Sequence, residues 1–90
     1  MENINAPRYC GVVYHSVGSS WGWDVTPTSA AHRAAEHYRK DWKPVPGTPI
    51  IVNILDMDNH AGWYLGDTGA FRDTETDEKI PVKERIIILA

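Results

Sequence analysis

One stretch decides the fold: residues 26–42, with the sequence TPTSAAHRAAEHYRKDW. Thr26 is a favourable helix N-cap, and Pro27 suits the first helical position because that position needs no backbone N–H. Apolar residues then recur at the spacing of one helix face, at Ala31, Ala34, Ala35, Tyr38 and Trp42. A stretch rich in proline and glycine, residues 44–47, ends the pattern. We therefore expect a helix whose alanine half lies close against a sheet.

Strand patterns lie on both sides of this helix. Residues 9–17 are rich in β-branched and aromatic side chains, and residues 21–25 alternate apolar with small or polar ones, which together predict a hairpin. Residues 50–55 are apolar on both faces and predict a central strand, while residues 62–65 and 85–89 predict two more. The prediction is one α+β domain over residues 1–90, ordered ββαβββ. Its sheet is mainly antiparallel, with four or five strands and the helix on one face.

Trp21 and Trp23 share one face of the second predicted strand. We expect both rings to cover the alanine stripe of the helix. If that strand is instead a sheet edge, one ring becomes an exposed anchor for a partner, since tryptophan is enriched at interface hot spots.

Cysteine content and hydropathy limit the class of protein. The 90 residues include one cysteine, Cys10, so neither an internal disulfide nor a cysteine-based zinc cluster can form. No stretch approaches the ~18 apolar residues of a membrane span, and the first residues lack the apolar core of a signal peptide. We expect a cytoplasmic protein of a bacterial host that does not bind membranes.

The net charge of −3 is unevenly distributed. Residues 1–45 carry five bases and four acids, whereas residues 46–90 carry four bases and eight acids. Seven of those acids lie between Asp56 and Glu78, opposed only by Arg72. This disfavours direct binding of nucleic acid, whose phosphates require lysine and arginine. The simplest interpretation is a solvated acidic loop.

Aromatic residues beside these acids suggest a second interpretation, a surface for a partner protein with a basic face. Charge complementarity would steer the encounter, and aromatic rings would hold the complex. The residues predicted to form this surface are Asp56, Asp58, Trp63, Tyr64, Asp67, Phe71, Asp73, Glu75, Asp77 and Glu78.

Catalytic alternatives are weaker. Asp56, Asp58 and His60 alternate and offer ligands that suit Mn²⁺ or Zn²⁺, but the spacing marks no fourth ligand. Residues 67–70, DTGA, resemble the signature of retroviral-type aspartic proteases, but only twenty residues follow them, so a turn is the better explanation. Cys10 and His15 point to opposite faces of one strand. We expect a non-catalytic protein without a cofactor.

Two resemblances bear on function. Residues 12–42, a hairpin leading into a helix that opens with TPTSAA, resemble HicB-type antitoxin domains. In size, acidity and predicted fold the chain also resembles small phage and mobile-element proteins of the anti-CRISPR kind. The second resemblance implies an inhibitor that occupies a basic surface of a nucleic-acid-handling host complex, and the first implies an antitoxin or regulator. A metal-dependent enzyme using Asp56, Asp58 and His60 remains a third possibility, and the oligomeric state stays open.

Overall fold

A computed structural model describes residues 7–16 and 18–90 of the chain. It contains the strands β1 (Tyr9–His15) and β2 (Gly18–Asp24), the helix α1 (Pro27–Trp42), and the strands β3 (Pro49–Asp56), β4 (Trp63–Leu65), β5 (Phe71–Asp73) and β6 (Val82–Leu89). The predicted α+β class is confirmed. The last residue of the first predicted strand, Val17, lies outside the described residues. The short strand β5 was not predicted, because its surroundings are polar and acidic.

The main sheet has four antiparallel strands in the order β2-β1-β3-β6. β3 is an inner strand, as its apolar composition predicts, and β2 and β6 are the two edges. The strands β4 and β5 pair with each other in a separate two-stranded sheet. No helix in the described ranges has the length and apolarity needed to cross a bilayer.

The ends of α1 follow the sequence signals. The Thr26 hydroxyl accepts a hydrogen bond from the Ser29 N–H at 3.1 Å, and Pro27 is the first helical residue. At the other end Lys43 adopts a left-handed conformation (φ 46°), and its N–H donates to the Arg39 carbonyl at 3.0 Å. Local capping therefore sets the helix boundaries.

Two glycines allow α1 to lie close to the sheet. Gly11 and Gly22 are direct cross-strand neighbours on β1 and β2. A Cβ atom at Gly11 would lie 2.8 Å from the Ala30 carbonyl oxygen, and one at Gly22 would lie 2.6 Å from the Arg33 Cβ. On the helix side, the alanines at 30, 31, 34 and 35 are all fully buried. Small residues on both surfaces thus bring the two backbones together.

The opposite face of the sheet has a core of its own. Cys10, Val12 and Leu55 project from β1 and β3 and pack against Met57, Phe71 and Ile80, which are likewise buried. These last three belong to the segment 57–81, which carries the β4–β5 hairpin across this face. The sheet therefore has a cover on each side, and only the helical cover was predicted.

The expectation that Trp21 and Trp23 cover the helix is wrong. Gly22 lies between them and faces α1, so both indoles point to the other side of β2. Trp23 packs against the second core, whereas Trp21 is 51% exposed. Since β2 is an edge strand, Trp21 has the exposure that the alternative of an aromatic anchor requires.

Candidate functional site

The residues predicted to contact a partner divide by burial. Asp56 and Trp63 are partly buried, and Phe71 and Asp73 are buried. The others are exposed: Asp58, Tyr64, Asp67, Glu75, Asp77 and Glu78. The accessible surface therefore contains fewer residues than the predicted one. The two buried residues, Phe71 and Asp73, support it from below.

Asp73 organises the turn that follows β5. Its side chain is 3% exposed, and its Oδ1 accepts hydrogen bonds from the backbone N–H groups of Glu75 at 2.7 Å and Thr76 at 3.0 Å. Its Oδ2 accepts from Nδ1 of His60 at 2.5 Å. Donation from the Thr76 N–H, from His60 and from the Glu75 N–H lowers the pKa of Asp73 to about 2. The carboxylate thereby holds residues 74–78, which we call the acidic turn.

Acid is expected to loosen the acidic turn. The pKa of Asp73 is about 2 in the folded chain and 3.8 ordinarily, so its stabilising contribution is complete above about pH 4 and is lost as the pH falls towards 2. Asp73→Asn removes that dependence, whereas Asp67→Asn, at an exposed position, retains it. Urea unfolding at a series of pH values from about 5 to 2 measures the slopes. A slope for Asp73→Asn equal to that of the unmodified protein would contradict this role.

Phe71 connects the acidic segment to the sheet. Its ring stacks on Tyr14, with centroids 5.6 Å apart, and meets Trp63 edge to face at 5.3 Å. The Trp63 Nε1–H donates to the Cys10 Sγ at 3.2 Å. Burial raises the pKa of the Cys10 thiol to about 11, so at neutral pH it is a protonated packing group and not a nucleophile.

A shallow groove of about 230 Å³ opens beside this cluster. Its lining consists of Trp21, Trp23, Gly62 and Trp63, and we call it the tryptophan groove. The Thr74 N–H donates to the Gly62 carbonyl at 3.1 Å, which places the acidic turn alongside the groove. Close approach is required there, because a Cβ at Gly62 would lie 3.0 Å from the Thr74 hydroxyl.

The far side of the acidic turn is held to β4 and β5. The Tyr64 hydroxyl donates to the Asp77 carboxylate, and this bond raises the pKa of Tyr64. Nη1 of Arg72 donates to the Asp77 carbonyl at 2.8 Å. Asp77, although exposed, is held in this way by Tyr64 and Arg72, and the turn also presents the exposed carboxylates of Glu75 and Glu78.

The proposed metal ligands are not brought together. Asp56 accepts two hydrogen bonds from Arg8, each 2.9 Å long, and this pairing lowers the pKa of Asp56. Asp58 lies 4.0 Å from the same guanidinium, while His60 turns away to Asp73. Within residues 7–16 and 18–90, no three histidine, cysteine or carboxylate side chains are arranged to hold a metal ion. The alternative of a metal site at Asp56, Asp58 and His60 therefore gains no support from the positions of these side chains, and Arg8 pairs with Asp56.

The remaining motifs lie in a loop and on opposite faces of β1. Residues 67–70 belong to the loop between β4 and β5, closed by hydrogen bonds from the Gly69 N–H to the Gly66 carbonyl and from the Gly66 N–H to the Ala70 carbonyl. The turn interpretation of DTGA is confirmed. His15 lies on the helix side, 4.3 Å from the Trp42 ring centroid, and Cys10 lies in the core on the other side.

No family model matches this chain, and no curated protein or solved structure matches it significantly. The resemblances to HicB-type antitoxins and anti-CRISPR proteins thus stay predictions. Function must therefore be inferred from the geometry of the tryptophan groove and the acidic turn. Trp21 and Trp23 were absent from the predicted surface. Gly22 lies between them and faces the helix, which indicates that both indoles point away from it.

Proposed function

We propose that this protein is a non-catalytic interaction module that binds a basic surface of a partner protein. The tryptophan groove and the acidic turn form the contact surface. The observation that carries the proposal is the position of the half-exposed Trp21 on an edge strand, in one groove with two further indoles and beside a turn bearing exposed carboxylates. Exposed aromatic groups of this kind mark interaction sites.

This surface is suited to bind an arginine or lysine side chain of the partner. An indole face attracts a cation placed over it, and a neighbouring carboxylate can pair with the charged head. Glu75 and Glu78 are exposed carboxylates of the acidic turn, which Thr74 joins to Gly62 in the groove lining. An excess of acid in this half of the chain also steers a basic partner at long range.

Hydrogen bonds within the chain hold the acidic turn in place. Asp73 and His60 hold it from below, and Thr74 ties it to Gly62. A surface that is already ordered loses little conformational entropy on binding, so more of the contact energy contributes to affinity.

Basic protein surfaces of this kind often serve to bind nucleic-acid phosphates. Carboxylates that occupy such a surface exclude the nucleic acid from it. An inhibitor of a nucleic-acid-handling host complex would act in this way, and the anti-CRISPR resemblance implies such a role for a protein of phage or mobile-element origin. Displacement of duplex DNA from an oligo-arginine peptide by this protein is the expected signature.

Neutralising the acidic turn is expected to weaken binding. The double variant E75Q/E78Q should bind a fluorescein-labelled oligo-arginine peptide about 5–10-fold more weakly at low salt, because two rim charges are lost. Fluorescence anisotropy measures the affinity. The double variant E36Q/E84Q makes the same charge change on α1 and β6 and should leave the affinity within about twofold. Equal losses in the two double variants would show that only net charge matters, and would overturn the proposed surface.

A further inference from the structure

We infer that the β6 edge pairs with the β6 edge of a second copy of this chain, joining the two four-stranded sheets into one. β6 forms one edge of the main sheet, and β2 with Trp21 forms the other edge. The inference therefore goes beyond the proposed function and does not depend on it.

Hydrogen bonds at Ala90 show which backbone groups face the free edge. The Ala90 N–H donates to the Thr48 carbonyl at 2.9 Å, and the Ala90 carbonyl accepts from the Gly47 N–H at 3.0 Å. Ala90 therefore directs both groups towards the β3 side. Successive residues of a strand direct their backbone N–H and C=O groups to alternate sides. The backbone groups of Leu89, Ile87 and Arg85 therefore point outward, away from β3.

Two further observations agree with this alternation. Pro49 lies opposite Leu89, a position at which β3 needs no N–H towards β6. Nη2 of Arg39 reaches the Leu89 carbonyl at 3.4 Å, as expected for an oxygen that is not engaged with β3.

Among the described residues, the second half of β6 carries none of the features that usually protect an edge strand. Edges are commonly blunted by charges, prolines or bulges. The first half of β6 has such protection from three charged residues, Lys83, Glu84 and Arg85, and from a register irregularity opposite it at Ile54 and Leu55. Residues 86–89 are all apolar, and Ile87 and Leu89 are each 64% exposed.

One antiparallel register satisfies both the outward backbone groups and the side chains. With a two-fold axis at Ile87, this residue pairs with Ile87 of the second copy, and Arg85 lies opposite Leu89 of that copy. Paired residues keep the same sheet face, so the apolar side chains meet each other. An axis at Arg85 would instead place two guanidinium groups opposite one another. Among the described residues, α1 packs mainly over β1 and β2, and its hydrogen bond to the β6 edge is that of Arg39 to the Leu89 carbonyl.

Analytical ultracentrifugation tests the pairing. From about 10 µM to about 1 mM, the mass of the unmodified protein should rise from 10.1 kDa towards twice that value. Ile87→Pro should remain monomeric with an unchanged circular dichroism spectrum, because the lost N–H points away from β3. Ile87→Lys should do the same, and it decides the test if the proline variant does not fold.

Ile51→Lys is the matched control, since Ile51 pairs with Ile87 on the same sheet face but belongs to an inner strand. It should dimerise like the unmodified protein. A constant mass of 10.1 kDa across the range would overturn the inference. So would dimers of the folded Ile87 variants as strong as those of the unmodified protein, or loss of the dimer in Ile51→Lys alone.

Discussion

Gly22→Ala is expected to lower the free energy of unfolding by about 2–3 kcal/mol, although it adds a single methyl group. A Cβ at this position would lie 2.6 Å from the Arg33 Cβ and 2.7 Å from the Ala34 nitrogen. The first turns of α1 must therefore move away from the sheet to admit it. That movement loosens the contacts of Ala30, Ala31 and Ala34 with β1 and β2, so the cost spreads beyond one contact.

Urea unfolding at neutral pH measures this effect. Ser19→Ala is a suitable control, because it changes the same strand on the face that points away from α1. We expect it to alter the stability by no more than about 0.5 kcal/mol. A Gly22→Ala protein as stable as the unmodified one would contradict the close approach of helix and sheet.

Leu55→Ala is expected to cost about 2–5 kcal/mol of unfolding free energy. Leu55 is fully buried between β3 and the segment 57–81, where it packs with Cys10, Met57 and Phe71. Its truncation leaves a cavity under the segment that carries both the acidic turn and Trp63. We therefore expect weaker oligo-arginine binding as well as lower stability.

Ile51→Ala provides the comparison for this variant. Ile51 lies on the same face of the same strand but is 51% exposed, so its truncation should cost less than about 1 kcal/mol. Equal stability losses at the two positions, read from urea unfolding, would contradict a second core beneath segment 57–81.

The parts of the fold that local chemistry determines were predictable. Thr26 and Pro27 mark the helix start, and the alanine stripe marks its buried face. The strands 9–15 and 49–56 follow from β-branched and apolar composition. Each of these features depends on residues within a few positions of each other, which is the range over which propensity and periodicity act.

The second cover of the sheet was not predictable in this way. Asp73 resembles any other acid of its segment, yet it is buried because His60 and two backbone N–H groups satisfy it. That arrangement depends on the contact of residues thirteen positions apart. Phe71, surrounded by polar residues, likewise becomes buried only because Tyr14 and Trp63 meet it from other elements.

The candidate site shows the same division. The exposed acids follow from composition, whereas the tryptophan groove combines residues of β2 with residues around β4, about forty positions later in the chain. Two glycines could have predicted which face of the hairpin packs against the helix. Gly11 and Gly22 mark the face that another backbone approaches. The tryptophans on either side of Gly22 must then belong to the opposite face.

The most direct test of the proposed binding surface is a titration of the ¹⁵N-labelled protein with an oligo-arginine peptide, followed on the indole N–H signals. The chain has four tryptophans, and Trp42 lies at the end of α1 against His15, outside the groove. It therefore serves as an internal control. We expect the signals of Trp21, Trp23 and Trp63 to shift in a saturable way while that of Trp42 stays in place. Stationary groove signals at saturating peptide, or a shift of Trp42 alone, would contradict the account.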